Sequence, residues 1–309
     1  MRVLFWGTPG FALPALRALA EEGHDVVGVV TQPDRPAGRG RKSTPPPIKQ
    51  FAVGEMIPVL QPERPVGEQF LSRIRGLDPE ISVVVAYGEI LEPEVLDLPA
   101  NGSVNIHASL LPELRGAAPV HWAVIRGHEL SGVTIMRMEA GLDSGPILFQ
   151  VPEPIRLDES MTDLALRLSE IGAEALIEAL ALFEMGEITP QPQDHARATY
   201  APKIDRETAH LNWSLPGLEV ARWIRGLDSV PGAWSLHNAR DPLKLFCPRV
   251  EVHSGPPGEV LEIDDEVGVL VAAGQVAVRI REVQPAGSRR MEAGEWIRGR
   301  GVVVGDRLS

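Results

Sequence analysis

The first half of the chain alternates short apolar runs with amphipathic segments. Residues 2–7 are an apolar run closed by Gly7, residues 11–22 carry apolar side chains at helical spacing, and residues 26–31 form a second apolar run. This order of strand, helix and strand predicts a βαβ unit with a parallel sheet. Three further apolar runs and one long amphipathic stretch extend the same α/β pattern, at residues 81–86, 104–107, 132–139 and 159–185.

The pattern changes beyond Gly186. Residues 187–206 are polar, contain prolines and show no period, so we place a linker at residues 189–206. After the linker, residues 218–227 predict one helix. Short apolar runs separated by glycine and proline then predict the strands of a small β-barrel, at residues 243–246, 250–252, 258–263, 267–272, 276–280 and 302–304. The predicted domains are therefore residues 1–188 and 207–309.

Composition describes an ordinary globular protein of 309 residues, of which 44% are hydrophobic and 23% are charged. No stretch approaches the about 18 consecutive apolar residues of a membrane span, so we expect no membrane association and a cytoplasmic location. The single cysteine, Cys247, excludes an internal disulfide and a cysteine-based zinc site. The eight histidines show no clustered spacing, so no metal is expected.

The net charge of −12 argues against a nonspecific nucleic-acid binder. This charge is unevenly spread along the chain. Residues 205–309 hold 13 basic and 15 acidic side chains, whereas the remainder carries a net charge of −10. The C-terminal third is therefore close to neutral, which allows basic patches on its surface.

The loop after the first apolar run has the sequence Gly7-Thr8-Pro9-Gly10, which invites comparison with dinucleotide-binding loops. Such loops require a G-x-G-x-x-G pattern for the tight turn and for close approach to a pyrophosphate. That pattern is absent here. The segment is better interpreted as a turn from strand to helix than as an NAD(P) site.

Asn105 and His107 stand two residues apart at the end of a predicted strand. A period of two places both side chains on one face of the sheet, and ligands of open parallel sheets bind at the carboxyl ends of the strands. An amide donor beside an imidazole suits an oxygen that gains negative charge during a reaction. The structural alternative is a strand-end pair that hydrogen-bonds its own loops.

A second polar segment, residues 139–145, follows the predicted strand at 132–139. Gly141 and Gly145 bracket Asp143 in this segment, as a loop that approaches a ligand closely would require. A carboxylate near His107 would favour the charged imidazolium and hold its orientation. The alternative for Asp143 is a turn-capping role.

A third segment, residues 32–49, is basic in an otherwise acidic region. Residues 34–49 hold five basic side chains and one acidic side chain, with glycines and prolines that favour an irregular, mobile loop. A flexible cationic loop beside an active site is what contact with a phosphate backbone needs. The alternative is a solvated surface loop.

These three segments, in this order, resemble the 10-formyltetrahydrofolate-dependent formyltransferases over essentially the whole chain. The Asn-Ile-His-Ala-Ser-Leu-Leu-Pro run and the Gly-Leu-Asp-Ser-Gly loop are specific to that superfamily. The basic loop, the length and the C-terminal barrel are similar to the branch that formylates methionine on initiator tRNA. The resemblance implies a Rossmann-like N-terminal catalytic domain and an OB-fold-like, tRNA-binding C-terminal domain.

The resemblance also implies the roles of individual residues. Asn105, His107 and Asp143 would be the catalytic residues. The folate co-substrate, 10-formyltetrahydrofolate, would contact two further sets of residues. The first set is Ser109, Leu110, Leu111 and Pro112. The second set would hold the pterin ring, mainly through backbone groups, and comprises Tyr87, Gly88, Ile90 and Gly141. Glu89 stands where the family often has leucine.

The partners implied are initiator methionyl-tRNA and the folate, with the chain acting as a monomer. Arg39, Arg41 and Lys42 lie in the loop that contacts the acceptor arm in this family. A minority of the C-terminal basic residues would also touch tRNA, from the set Arg222, Arg225, Lys244, Arg249, Arg279, Arg281, Arg289 and Arg290.

Three alternatives remain at this point. A sugar-nucleotide or purine-pathway formyltransferase would share the N-terminal chemistry, although we expect it to lack the basic loop. A catalytically silent RNA-binding protein would not need Asn105, His107 and Asp143 together. An NAD-dependent dehydrogenase is disfavoured by the first loop.

Overall fold

The computed structural model describes residues 1–37 and 42–309, which form two compact units. The first unit comprises residues 1–119, 130–154 and 165–201, and the second comprises 120–129, 155–164 and 202–309. Two short segments inside the predicted N-terminal domain therefore group with the C-terminal unit. Most of the segment predicted as a linker groups with the first unit.

The elements of the described residues follow in chain order. The α-helices span Leu13–Glu21 (α1), Pro47–Gly54 (α2), Glu68–Leu77 (α3), Pro93–Leu96 (α4), Pro119–Arg126 (α5), Met161–Glu184 (α6), Gly217–Gly226 (α7) and Ala293–Arg298 (α8). The strands span Arg2–Gly7 (β1), Asp25–Val30 (β2), Arg35–Ala37 (β3), Lys42–Thr44 (β4), Val59–Leu60 (β5), Ile81–Val85 (β6), Ser103–His107 (β7), Leu130–Arg137 (β8), Ile147–Pro154 (β9), Trp234–His237 (β10), Asp241–Glu251 (β11), Val260–Asp264 (β12), Gly268–Ala272 (β13), Ala277–Pro285 (β14) and Met291–Glu292 (β15).

The first unit is built on a seven-stranded sheet in the order β5-β2-β1-β6-β7-β8-β9. The first five strands are parallel, and every residue of β6 is buried, as expected for strands covered on both faces. The predicted Rossmann-like α/β fold is confirmed. The sheet is mixed, however, because β8 runs antiparallel to β7 and the unpredicted strand β9 runs antiparallel to β8.

The basic segment is more regular at its flanks than its composition predicts. β3 and β4 pair antiparallel, with Arg35 opposite Thr44 and Ala37 opposite Lys42. The expectation of an irregular loop was therefore wrong for these six residues. Of the three predicted tRNA contacts, Lys42 begins β4, whereas Arg39 and Arg41 lie outside the described residues.

The second unit is an antiparallel barrel, which confirms the predicted OB-fold-like architecture. Its strands run in the order β10-β11-β14-β13-β12, with β15 paired to β14. The last residues of the chain close the barrel between its two edge strands. Leu236 of β10 donates its N–H to the carbonyl of Ser309 at 2.6 Å, and Val260 of β12 donates to that of Asp306 at 2.9 Å.

Some details of this unit differ from the sequence predictions. Val302–Val304 is not a strand; the bridging residues are Arg307 and Leu308, which follow it. The predicted run 243–246 and residues 250–251 of the predicted run 250–252 belong to the single strand β11, and β10 was not predicted. Throughout residues 1–37 and 42–309, no helix combines the length and apolarity that crossing a bilayer requires.

Candidate active site

Asn105 and His107 lie on one face of β7, as their spacing predicts. The intervening Ile106 and the preceding Val104 are buried on the alternate positions. Asn105 stands opposite Met136 and His107 opposite Thr134 of the antiparallel strand β8. The strand therefore fixes the backbone positions of both polar residues and directs their side chains to the same side of the sheet.

His107 is 5% exposed and lies between two acceptors. Its Nε2 atom is 3.0 Å from the carbonyl oxygen of Leu114, and its Nδ1 atom is 3.7 Å from Oδ2 of Asp143. Because a carbonyl oxygen only accepts hydrogen bonds, Nε2 carries a proton. The imidazolium form gives both nitrogens a complementary neighbour. At 3.7 Å the Nδ1 atom is too far from the carboxylate for a hydrogen bond, so it remains available to a third group.

Asp143 is held in a fixed orientation by the loop after β7. Its Oδ2 atom accepts a hydrogen bond from the N–H of Gly116 at 2.8 Å. The residue adopts a φ of 47°, in the left-handed region that costs energy for a side chain with a Cβ. The local strain is maintained because the carboxylate and the loop backbone both have partners.

The path to Asp143 differs from the one we expected. Because β8 is antiparallel, the segment that follows it begins beside the first residue of β7, where the Met138 N–H donates to Ser103. Oδ2 of Asp143 in this loop nevertheless lies 3.7 Å from Nδ1 of His107. The carboxyl ends of parallel strands are therefore not what brings these two side chains together.

The Asn105 side chain is half-buried and has no hydrogen-bond partner within the described part of the chain. A half-buried amide without a partner can donate to a ligand that approaches this face of the sheet. The structure thus brings His107 and Asp143 together, with the free amide of Asn105 two residues before His107.

The loop after β7 is rigid and uses most of its own polar groups. Ser109 Oγ donates to the carbonyl of Glu113 at 2.6 Å. Thr134 Oγ1 accepts from the Leu111 N–H at 3.1 Å and donates to the carbonyl of Ser109 at 2.6 Å. The side chains of Ser109 and Leu111 are buried, so they shape this loop and are not free to contact a ligand. Leu110 and Pro112 are half-buried.

The predicted pterin-binding residues divide into two groups. Tyr87 is 2% exposed and packs edge-on against Trp6, with ring centroids 5.2 Å apart, and its carbonyl accepts from Thr8 Oγ1. Burial, followed by the charge of Glu89, raises the pKa of Tyr87 to about 12. The side chain of Tyr87 therefore belongs to the core.

Two apolar side chains and two glycine turns of these loops are open to a ligand. Ile90 is 85% exposed, and Leu142 is also exposed. Gly88 and Gly141 have φ values of 92° and 129°, and a Cβ on Gly141 would lie 2.5 Å from Ser144 Oγ. The glycines permit turns that leave the two apolar side chains uncovered.

Sequence reasoning missed two buried residues near Asp143. Arg115 donates to the side-chain oxygen of Gln193, and Gln193 donates to the backbone carbonyls of Asp143 and Gly145. Arg115 stands in the motif after β7 and could have been noticed there. Gln193 lies in a polar, aperiodic stretch that carries no pattern, so no sequence signal marks it.

A second candidate surface lies within the second unit, where a cavity of about 530 Å³ is lined by four arginines, Arg225, Arg249, Arg281 and Arg290. Arg249 and Arg281 are exposed and have no carboxylate within 4.0 Å among residues 1–37 and 42–309. Arg290, in contrast, pairs with Asp228 at 2.7 Å and also with Glu282. Asp158, Asp163 and Asp228 also line the cavity, so its unpaired positive charge comes from Arg249 and Arg281.

Two other arginines of the predicted set are already paired. Arg279 binds Glu251 at 2.8 Å and Glu262 at 3.0 Å, and it is buried. Arg289 pairs with Glu295 at 2.9 Å on the surface. Because of these ion pairs, neither Arg279 nor Arg289 has an unpaired positive charge for a phosphate.

Cys247 also lines the cavity. Burial, followed by the hydrogen bond to Glu282, raises the pKa of this thiol to about 11, so it stays protonated at neutral pH. The described residues contain no group of three or more His, Cys, Asp or Glu side chains arranged to hold a metal ion.

Two family models match the chain. Residues 1–180 match the model described as formyl transferase, and residues 203–301 match the model described as formyl transferase, C-terminal domain.

Curated relatives match over nearly the full length. The chain is 45% identical over 307 residues to the methionyl-tRNA formyltransferase of Magnetococcus marinus, which covers 99% of this chain and 98% of that protein. It is 42% identical over 310 residues to the methionyl-tRNA formyltransferase of Bacillus subtilis, which covers 99% and 97%.

Among solved structures, HypX from Aquifex aeolicus in complex with tetrahydrofolic acid superposes with a TM-score of 0.69. The sequence identity is 22%, and the match covers 96% of this chain and 47% of that chain. At this identity the likeness shows the fold alone.

Proposed function

The chain belongs to the formyl transferase family, and we propose that it transfers a formyl group from 10-formyltetrahydrofolate to the amino group of methionine on initiator methionyl-tRNA. The observation that carries the choice of acceptor is the 45% identity to a methionyl-tRNA formyltransferase across 99% of this chain. We also propose that it acts as a monomer in the cytoplasm. Light scattering of the purified chain tests the monomer.

Asn105 and His107 would stabilise the formyl oxygen while the methionine amine attacks the formyl carbon. The carbon becomes tetrahedral, and its oxygen gains negative charge that two preorganised donors can stabilise. Collapse of this tetrahedral species breaks the bond from the carbon to N10 of the folate, which takes up a proton and leaves as tetrahydrofolate. Each such donor contributes roughly 3–4 kcal/mol to a reaction of this type. The Asn105 amide and the Nδ1 atom of His107 support this assignment, since neither has a hydrogen-bond partner in the described part of the chain and the imidazolium form would give Nδ1 a proton to donate.

Asp143 would keep His107 in its charged form and help to remove the proton that the amine loses. Its Oδ2 lies 3.7 Å from His107 Nδ1 and accepts from Gly116, so one oxygen is fixed while its negative charge faces the ring. The remaining rate would come from holding the two substrates side by side. No covalent enzyme intermediate is required.

The folate would lie against the loops that carry Ile90 and Leu142. Exposed apolar side chains beside turns of Gly88 and Gly141 suit a flat heteroaromatic ring that makes polar contacts mainly with backbone groups. Of the residues predicted for folate binding, Leu110 and Pro112 retain accessible side-chain surface. For Tyr87, Ser109 and Leu111 the proposal is limited to their backbone.

The tRNA would contact the segment that holds Arg39, Arg41 and Lys42 and also the second unit. Within the second unit we assign phosphate contacts to Arg249 and Arg281, because both line the cavity and lack a carboxylate partner in the described part of the chain. Arg279, Arg289 and Arg290 are less suited because carboxylates already neutralise them. Separate phosphate contacts would give an affinity that falls as salt rises.

The test is a comparison of acceptors. The purified chain is incubated with 10-formyltetrahydrofolate and either methionyl initiator tRNA or an amino-sugar nucleotide, and the formylated product is measured. We expect formylmethionyl-tRNA and no formylated sugar. Formylation of the sugar alone would contradict the acceptor and leave the chemistry intact, whereas no formyl transfer to either acceptor would contradict the whole proposal.

A further inference from the structure

We propose that Gln193 is a positioning residue for formyl transfer, because it holds the backbone of the Asp143 loop in the conformation that the Asp143 carboxylate requires. The inference rests on the proposed function. Among the described residues, Gln193 hydrogen-bonds to Arg115, Asp143 and Gly145 but not to His107 or Asn105. Its effect on the reaction would therefore pass through Asp143.

The amide nitrogen of Gln193 serves the Asp143 loop alone. The residue is 6% exposed, and its Nε2 atom donates to the carbonyl of Asp143 at 2.9 Å and to that of Gly145 at 2.7 Å. Both N–H groups of the amide are thus used, one on the residue with the left-handed φ and one two residues later. A loop with local strain keeps its shape only when its surroundings determine it, and these two bonds do so.

The amide oxygen of Gln193 is fixed by a buried cation. Arg115 is 4% exposed and donates to Oε1 of Gln193 from Nε at 3.1 Å and from Nη2 at 2.6 Å. Its Nη2 also lies 3.1 Å from Nδ1 of His195, and no carboxylate of the described chain is within 4.0 Å of it. Because Arg115 can only donate, it forces the oxygen of the amide inward and the nitrogen toward Asp143.

The segment around Gln193 is tied to both loops of the site. Gln191 exchanges two backbone hydrogen bonds of 2.8 Å with Ile147, which follows the Asp143 loop. Thr199 accepts from the N–H of Leu114 through Oγ1 at 2.9 Å and from the N–H of Arg115 through its carbonyl at 2.9 Å. Leu114 supplies the carbonyl that faces His107. One segment therefore contacts the loop beside each side of the imidazole.

Replacing the amide by a carboxylate separates two roles for Gln193. In Gln193→Glu, the side chain keeps its length and still accepts from Arg115, now as a charged pair. It loses both donors to the Asp143 loop and turns a negative oxygen toward two carbonyls. If Gln193 served only as the hydrogen-bond acceptor for Arg115, this variant would keep full activity.

We expect Gln193→Glu to lower kcat by about 10²-fold, the scale of a displacement of about 1 Å at a reacting centre. KM for methionyl-tRNA should stay within about threefold, whereas KM for the folate should rise, because Gly141 and Leu142 of the same loop belong to the proposed folate site; kcat is therefore measured at saturating folate. The matched control is Gln191→Glu, the same change on an exposed side chain two residues away, which should leave kcat unaltered. Unchanged kcat in Gln193→Glu would overturn the inference.

A double-mutant cycle tests the route through Asp143. In an Asp143→Asn background, adding Gln193→Glu should cause no further loss, because the group it positions is gone. A multiplicative loss would show an effect independent of Asp143 and would overturn the inference. If Asp143→Asn alone leaves kcat unchanged, it is the catalytic assignment that fails.

Folding is monitored by thermal unfolding and by hydrogen exchange of residues 141–147. We expect faster exchange there in Gln193→Glu and not in Gln191→Glu. Should Gln193→Glu not fold, Gln193→Met is measured in its place. Because Gln193→Met also removes the acceptor of Arg115, it is judged by the double-mutant cycle: no further loss in the Asp143→Asn background supports the inference, and a multiplicative loss overturns it.

Discussion

The candidate active site of the first unit and the arginine-lined cavity of the second unit use polar groups in opposite ways. At His107 both ring nitrogens face a defined atom, and the partner carboxylate of Asp143 is itself held by Gly116. Around the cavity, Arg249 and Arg281 are exposed and have no carboxylate partner in the described chain. One region determines position, and the other supplies charge.

This difference predicts how strongly the removal of a single side chain should affect each region's function. A group that stabilises a developing charge acts only when its position is right, so its removal is costly. A phosphate contact adds to several others and tolerates a shift, so its removal is mild and depends on salt. Substitutions in the candidate active site should therefore lower kcat, whereas substitutions at the cavity should lower the affinity for tRNA.

The largest effect is expected at the site of the first unit. Asn105→Ala and His107→Ala should each lower kcat by at least about 10²-fold, because each removes one donor to the formyl oxygen. Single-turnover formylation with both substrates saturating measures the chemical step. Asn101→Ala, a change of the same residue type in the turn before β7, should retain wild-type turnover. Near-wild-type turnover in both site variants would break the comparison.

A smaller effect is expected at the cavity. Arg281→Ala should weaken tRNA binding by a few-fold, leave kcat unchanged and reduce the slope of log affinity against log salt by about one. Titrations of tRNA at several salt concentrations measure that slope.

The matched control for Arg281→Ala is Arg289→Ala. Arg289 is also exposed, but Glu295 already pairs with it, so its removal should leave the salt slope unchanged. Equal slopes for wild type and Arg281→Ala would assign the cavity no part in tRNA binding.

The sequence predicts best where burial imposes a period. β6 is apolar except for Ser82 because both of its faces are covered, and Asn105 and His107 share a face because a strand alternates. The antiparallel direction of β8 could not be predicted from the sequence, since an apolar run has the same composition in a parallel and an antiparallel strand pair. The closing role of the last residues was hidden as well, because Arg307 and Leu308 pair singly and have no strand pattern.

The site was predictable only in part, for a related reason. The catalytic candidates are polar residues at the end of an apolar strand or between two glycines, and a polar residue in such a position can be recognised from the sequence. Gln193 is one polar residue in a polar stretch, and its contacts with Arg115 and Asp143 depend on the folded path of the chain. Tyr87 stands in a segment expected to bind the pterin, yet its ring packs in the core, because the face of a residue after a strand depends on the following turn.

The smallest effect on activity is expected at Tyr87, which lies in the candidate folate-binding segment without an available side chain. Tyr87→Phe should leave kcat and KM unchanged, and removing a buried hydroxyl that has no partner in the described residues should maintain or raise stability. The pKa of Tyr87 is raised to about 12. The folded state therefore holds this proton more tightly than the unfolded state, and wild-type stability falls as pH rises from about 10 towards 12.

The phenylalanine variant lacks this loss, so its advantage in the free energy of unfolding should grow by about 1 kcal/mol between pH 7 and pH 11. Urea unfolding at both pH values measures the change, with Tyr200→Phe, at the other tyrosine of the chain, as the control. A constant difference across pH would mean that Tyr87 titrates as an accessible side chain. Tyr87 would then be open to solvent or to a ligand. Its side chain would have to be assigned to the folate-binding surface and not to the core.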